Sequence, residues 1–313
     1  MSDGTLEGTV APERRRIPEG ASEVRVRFWG TRGSIPSPGP ATARFGGNTS
    51  CVQIRFGAGR HVILDAGSGL RALGHALVSG GGPLDETVFL THFHWDHIQG
   101  FPFFAPLYDP DARVRIVGPR QDDEDAQSLF AGQMGPVYFP VPFDALSARI
   151  AFEHLNEGSW ESGAFRVRAQ RVRHPSFTVG YRVEVGGWVI TYVPDNELAG
   201  GGHDVGEGWA ERFDAFVRGS DVLVHDAMYT TEEYERHRGW GHSTFDQALD
   251  LAVRTGVPRL FFFHHSPERS DVELERIVDE TRARVRREGH ALEVRAADEG
   301  EEIVLPVNAQ NRS

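Results

Sequence analysis

An α/β (α+β) architecture of two sheets covered by helices is what this sequence predicts, and three observations carry the prediction. Strand-like apolar runs and helix-period segments arrive in two similar batches along the 313 residues. Apolar residues make up 39% and charged residues 25%, which sustains a packed core rather than a disordered chain. Polar residues suited to chemistry recur at the ends of the apolar runs, as expected where loops gather at one sheet edge. The length allows one large domain or two ordinary ones.

Residues 1–22 are polar, rich in Gly, Pro and Glu, and without periodicity, so they read as a mobile tail. Order begins at Val24–Phe28, which alternates apolar and polar as a half-buried strand does. A loop dense in Gly, Pro and hydroxyls follows, from Gly30 to Thr49. Strand runs Cys51–Phe56 and His61–Leu64 flank Gly57-Ala58-Gly59, a hairpin signal, and a short helical pattern covers Leu70–Val78. Val88–Leu90 is a buried-strand candidate. From about Gly100 to Trp160 the pattern loosens into prolines and aromatics, with an acidic run over Asp122–Asp125. Strands resume at Phe165–Val172, Thr178–Val185, Trp188–Tyr192 and Val222–Val224. Ser243 is the expected N-cap of a helix from Thr244 to Thr255, stopped by Gly256. Ser270 and Glu273 form a capping box for a last helix that ends at Gly289, and Ile303–Leu305 is a final strand.

Charge and cysteine content exclude several classes. With 33 Lys and Arg against 45 Asp and Glu, the formal net charge of −12 argues against a broad electrostatic grip on nucleic acid. Cys51 is the single cysteine, so there is no internal disulfide framework and no Cys-rich zinc module. No run approaches a membrane span, and Arg14-Arg15-Arg16 has no apolar stretch behind it to make a signal peptide. A cytoplasmic protein is expected.

Thr91-His92-Phe93-His94-Trp95-Asp96-His97 packs three histidines and a carboxylate into a strand-to-helix turn. There His92 and His94 can converge on one metal while Asp96 and His97 turn toward a second, and imidazole with carboxylate suits zinc, manganese or iron. One cluster cannot complete two coordination spheres. His174, Asp195 and the pair His264 and His265 each follow a strand-like run, and this shared placement raises them together, although each alone is more often a core or surface residue.

His92-x-His94-x-Asp96-His97, followed in order by His174, Asp195 and His264, resembles the metallo-β-lactamase fold of binuclear hydrolases, over about Val24 to Leu305. The resemblance implies an αββα four-layer sandwich, with residues 23–308 as a single domain and about 100–160 as a lid or insert. It implies that His92, His94 and His174 hold a first metal and that Asp96, His97 and His264 hold a second. Asp195 and a hydroxide would bridge them, and Asp65 would brace the site. Two divalent ions are therefore expected, zinc first, with Mn, Fe or Ni as alternatives.

Cys51 precedes every ligand motif and so does not match the cysteine ligand of class B β-lactamases; His94 stands where flavodiiron members carry Glu. Gly180-Tyr181-Arg182-Val183-Glu184, the Gly30–Pro36 loop, His225-Asp226-Ala227, Gly241-His242-Ser243-Thr244 and His264-His265-Ser266-Pro267 are similar to the ribonuclease Z and cyclic-phosphate phosphodiesterase branch. Pro194-Asp195-Asn196 departs from the usual Gly-Asp-Thr, and no long Gly/Pro-rich arm of the kind that grips tRNA is recognisable. The resemblance thus implies a phosphodiesterase in which a metal-bridged hydroxide attacks a small, nucleotide-like phosphodiester, cyclic ones included. His242, paired with Asp226, is the expected proton donor to the leaving alkoxide. Arg32, Asn48 and Ser50 are expected to bind substrate from the Gly-rich loop. A ribonuclease Z-type RNA endonuclease is the nearest alternative, with RNA disfavoured as a partner by charge and the missing arm. A thioester or lactone hydrolase and a non-catalytic metal-dependent sensor complete the alternatives. A homodimer is among the assemblies allowed, and no membrane partner is expected.

Overall fold

Alternation decides how β1 (Glu23–Gly30) stands, because Val24, Val26 and Phe28 are fully buried while Glu23, Arg25 and Arg27 keep partial exposure. The computed structural model describes residues 22–307 apart from 58, 123 and 201. The expected tail therefore lies outside the described residues except for Ser22, as do Ala58 of the hairpin signal and Asp123 of the acidic run.

In the first sheet, β1, β2 (Cys51–Phe56) and β3 (Arg60–Leu64) pair antiparallel, and β4 (Asp85–Phe89), β5 (Arg113–Gly118) and β6 (Arg149–His154) continue parallel to β3. The second sheet begins as a meander of β7 (Gly158–Glu161), β8 (Phe165–Arg171), β9 (Val179–Val185) and β10 (Trp188–Val193). It continues with β11 (Val222–Asp226), β12 (Arg259–Phe263) and β13 (Glu293–Ala296), all parallel to β10. Finally β14 (Glu302–Pro306) returns to the first sheet beside β1. The stretch expected as a lid or insert supplies β5 and β6 to one sheet and β7 to the other.

The two sheets close on one apolar layer. Phe28 meets Phe261 at 5.5 Å between ring centres, Phe56 meets Phe165 at 5.5 Å, and Phe89 meets Tyr181 at 5.5 Å. Helices cover the outer faces. Leu70 and Leu73 of α1 (Gly69–Gly80) pack on the first sheet, followed in the chain by the one-turn α2 (Trp95–Ile98). Phe130 of α3 (Ala126–Gln133) joins the α1 layer, stacked on Phe101. The second sheet carries α4 (Trp209–Val217), α6 (Phe245–Thr255) and α7 (Asp271–Glu288), with the one-turn α5 (Thr231–Tyr234) preceding α6. This is the αββα sandwich. No helix among the described residues is long and apolar enough to cross a membrane.

Capping chemistry sets the helix ends. The Ser270 and Glu273 box starts α7, and Gly289 stops it in the left-handed region at φ 74°. The start of α6 differs from expectation by one residue. Thr244, not Ser243, is the cap and accepts from the Gln247 amide, because the Ser243 hydroxyl is already donated to the Asn196 carbonyl.

Candidate metal centre

Parallel pairing brings the C-terminal ends of β3 and β4 to one edge of the first sheet, and those of β10, β11 and β12 to one edge of the second. Asp65 follows β3 and the histidine cluster follows β4; Asp195 follows β10, Asp226 ends β11 and His264 follows β12. His174 joins from the turn between β8 and β9. Asp65 (φ 62°) and His264 (φ 59°) are non-glycine residues held in the left-handed region, a backbone cost that tends to gather at functional sites.

The first half of the cluster is His92, His94 and His174, with Nδ1 of His94 2.9 Å from Nε2 of His174. The other half is Asp96, His97 and His264: His264 Nε2 lies 3.0 Å from Asp96 Oδ2 and 3.4 Å from His97 Nε2. Asp195 stands between the halves. One carboxylate oxygen is 3.0 Å from His97 Nε2, and the other is 3.8 Å from His174 Nε2 and 3.4 Å from His264 Nε2. A tetrahedral ion with bonds of about 2.1 Å needs ligand atoms roughly 3.4 Å apart, and this set is spaced accordingly. All of these side chains are buried except His94, which is exposed at the mouth.

At the first half of the cluster the protonation states suit a cation as well, whereas at His97 burial is outweighed by the carboxylates of Asp96, Asp195 and Asp65, which raise it. Burial, reinforced by neighbouring imidazoles, pushes His92 well below its ordinary range and lowers His94, while His174 falls to about 3. All three rings are therefore neutral with lone pairs to give. Burial works against charge on Asp195 and Asp96, yet the imidazoles around them hold both carboxyls well below the usual range. His92 Nε2 is buried without a hydrogen-bond partner and faces the cluster. The donor set fits divalent metal ions.

Outer contacts fix which nitrogen each ring presents. His92 Nδ1 lies 3.0 Å from the Thr91 hydroxyl, His97 Nδ1 2.9 Å from Asp65, and His174 Nδ1 3.1 Å from the Gly241 carbonyl. Asp65 also accepts from the Thr91 amide at 2.7 Å and the Tyr192 hydroxyl at 2.9 Å, so it braces the cluster without entering it. The Ser34 amide donates to Asp96 at 2.7 Å. Close approach dictates two glycines: a Cβ on Gly33 would stand 2.3 Å from the His264 ring, and one on Gly241 2.2 Å from His174 Nδ1.

Beside this cluster, His242 Nδ1 lies 2.9 Å from Asp226 Oδ2 and 3.8 Å from Asp195. Burial disfavours charge on this ring, but the carboxylates of Asp226, Asp195 and Asp96 together outweigh it, Asp226 foremost, and raise His242 to about 9. Of the adjacent histidines, His264 faces the cluster, whereas His265 donates to the Ala297 carbonyl at 2.9 Å and faces the core.

The structure places the expected substrate contacts in internal bonds or in the core. Arg32 is fully buried, and its guanidinium donates to the carbonyls of Gly46 (2.8 Å), Ser266 (2.9 Å) and Arg269 (2.8 Å). Asn48 uses its amide on Glu299 at 2.6 Å and its carbonyl on the Ser68 hydroxyl at 2.9 Å. Ser50 is fully buried. The Gly-rich loop folds back onto α1 and onto the segments after β12 and β13, which turns Arg32 and Asn48 inward, while the buried Ser50 hydroxyl has no hydrogen-bond partner. Thr91, Tyr192, Ser34 and Glu197 were not named as site residues from the sequence; Thr91, inside the histidine motif, and Ser34, inside the Gly30–Pro36 loop, lay in stretches that carried a signal, and Tyr192 and Glu197 did not.

The sequence model of one protein family, described as a beta-lactamase superfamily domain, matches residues 60–265. A ribonuclease Z of Natronomonas pharaonis is 27% identical over 278 residues, spanning 78% of this chain and 87% of its own. One of Thermoplasma acidophilum is 24% identical over 294 residues, spanning 80% and 89%. Among solved structures, the metallo-beta-lactamase fold protein YhfI from Bacillus subtilis superposes with a TM-score of 0.65 at 17% identity, over 90% of this chain and 99% of that one. Human tRNase Z, short form, gives 0.60 at 21% identity, over 90% and 99%. A diphosphatase from the PhnP family gives 0.61 at 18% identity, over 90% and 97%. These likenesses to solved structures are likenesses of fold.

Proposed function

Because this chain belongs to the beta-lactamase superfamily and its His/Asp cluster offers the donors of a divalent metal site, we propose that it is a binuclear phosphodiesterase acting on small, nucleotide-like phosphodiesters, cyclic ones included. The chain is a metal-dependent hydrolase of ester bonds, as its family and relatives indicate. In this proposal His92, His94 and His174 hold one cation, Asp96, His97 and His264 hold the other, and Asp195 reaches both. When bound, the cations supply Lewis acidity toward phosphoryl oxygens and a lowered pKa for water. Zinc heads the candidates, with Mn, Fe and Ni behind it.

One observation carries the choice of phosphodiesters over thioesters: the His242–Asp226 pair beside the ligand cluster. Asp226 holds Nδ1, so Nε2 of His242 is the atom left to present a proton to a substrate oxygen. A leaving alkoxide is a strong base and needs that proton, whereas a thiolate leaves unaided, so the pair favours phosphodiesters over thioesters. Asp65, Thr91 and the Gly241 carbonyl keep three imidazoles in one tautomer, which spares the site that reorganisation during turnover.

An RNA endonuclease is the second reading, and a specific observation favours it. Proteins named ribonuclease Z match about four-fifths of this chain. The expectation against RNA finds no support in these relatives and rests on the net charge and the missing arm alone. The test is turnover of metal-reconstituted protein on bis-p-nitrophenyl phosphate, a 2′,3′-cyclic nucleotide and a precursor tRNA, with His94→Ala prepared identically. Cleavage of the small substrates, lost in the variant, is the expected result. Cleavage of the RNA alone would transfer the assignment to the endonuclease, and cleavage of none would overturn both.

A further inference from the structure

We propose that Glu197 is a positioning residue of the first metal site, acting on His174 through the Gly239-Trp240-Gly241 turn that it clasps. The inference rests on the reading above, in which His174 is a ligand, and adds to it a residue two positions beyond Asp195 that touches no ligand side chain.

The Glu197 side chain is fully buried. Such a carboxylate is costly unless its oxygens are satisfied, so what satisfies them identifies its work. One oxygen accepts from the Gly239 amide at 2.8 Å and the Tyr234 hydroxyl at 2.7 Å, and the other accepts from the Gly241 amide at 3.1 Å. His203 Nε2 lies 3.3 Å away. The carboxylate thus grips the backbone on both sides of Trp240, in a turn whose glycines stand at φ 84° and 87°. Gly241, so held, presents its carbonyl to Nδ1 of His174 at 3.1 Å and stands so close to that ring that a Cβ on it would meet Nδ1 at 2.2 Å. From the other side, the Glu197 amide donates to the Arg173 carbonyl at 2.8 Å, tying the same loop to the residue before His174. Gly200 completes the fit, since a Cβ there would stand 2.4 Å from the Glu197 carboxyl carbon.

An apolar side chain could fill this volume, but only a group with two acceptor oxygens takes both amides at once. Releasing them leaves two backbone donors unpaired, frees the turn, and removes the partner that fixes the His174 tautomer. Among the described residues Glu197 makes its polar contacts to Tyr234, Gly239, Gly241, His203 and Arg173 and not to Asp96, His97 or His264, so the effect is expected at one site.

Cobalt(II) titration followed by visible absorption, with chelator competition, tests this on the full chain. His174→Ala and His264→Ala identify which binding step belongs to which site. Glu197→Gln keeps the volume but turns an NH2 group toward an amide donor. Glu197→Asp keeps the charge but lacks the reach. Both are expected to weaken the step that His174→Ala abolishes by about tenfold, to leave the other step unchanged, and to regain turnover at raised cobalt. Variants that bind both ions as the wild type does, or that weaken both steps equally, would overturn the proposal. A His174→Ala protein that still binds both ions normally would instead overturn the site reading beneath it.

Discussion

Arg32 carries a charge into the interior and spends it on three backbone carbonyls, with Asp271 farther off at 3.8 Å. Its flat fork of donors matches three acceptors that no other side chain could reach together. Arg32→Lys is therefore expected to cost about 3 kcal/mol in urea denaturation, since buried carbonyls lose their partners. KM of the folded fraction should stay where it was. A raised KM at unchanged stability would instead return Arg32 to the substrate. His242 makes the opposite kind of prediction. If its Nε2 delivers a proton to the departing oxygen, the need for it scales with the basicity of that oxygen. His242→Ala should lose about 10²–10³-fold in kcat/KM on a ribonucleoside alkoxide leaving group and far less on p-nitrophenolate. Equal losses on both would make His242 a packing residue.

At the scale of elements, the junction of β10 and β11 holds a neutral histidine that contributes to stability only above acid pH. His225 is fully buried, donates from Nδ1 to the Asp226 carbonyl at 2.7 Å, and faces the Asn196 side-chain amide with Nε2 at 3.3 Å. Burial lowers its pKa from 6.5 to about 4. The folded value lies below the unfolded one, so stability is fully present above about 6.5 and drains as pH falls toward 4. Between pH 7 and pH 5 this group alone should cost about 2 kcal/mol. His225→Gln, compared at equal metal content, should show a shallower loss by that amount, and parallel pH curves would refute it. The same elements show what a sequence reveals. The alternation of β1 and the capping box of α7 are local chemistry and were legible as such. β6 was not, because its residues are all partly or largely exposed on a sheet edge and lack the apolar contrast that marks a strand. α4 hid for a related reason: Trp209, Phe213, Phe216 and Val217 form its buried face but sit among charged neighbours in a short span. The histidine cluster was visible because its ligands carry their chemistry in their side chains. Glu197 was invisible because its partners are mainly backbone amides more than forty residues away.

For the molecule as a whole, the cluster lies where the two sheets meet, and its members divide between them. His92, His94, Asp96 and His97 leave the first sheet after β4, while His174, Asp195 and His264 leave the second. An ion bound by His92, His94 and His174 therefore draws ligands from both sheets, and so does one bound by Asp96, His97 and His264. Metal binding in this arrangement is also a clamp across the sandwich, and its free energy adds to that of folding because the unfolded chain has no such site. At free metal about 1,000 times Kd, each ion should contribute about 4 kcal/mol. Stripping the metal with a chelator should therefore lower the melting temperature markedly. Amide exchange should rise at this edge, in the loops after β4, β10 and β12, while the buried strands that meet through Phe28 and Phe261 stay protected. His264→Ala should forfeit one ion's share of the stabilisation, and excess metal should not restore it. A chelated protein whose melting point and edge exchange match the metal-loaded form would mean that the sheets hold this geometry unaided and that the ions serve chemistry alone.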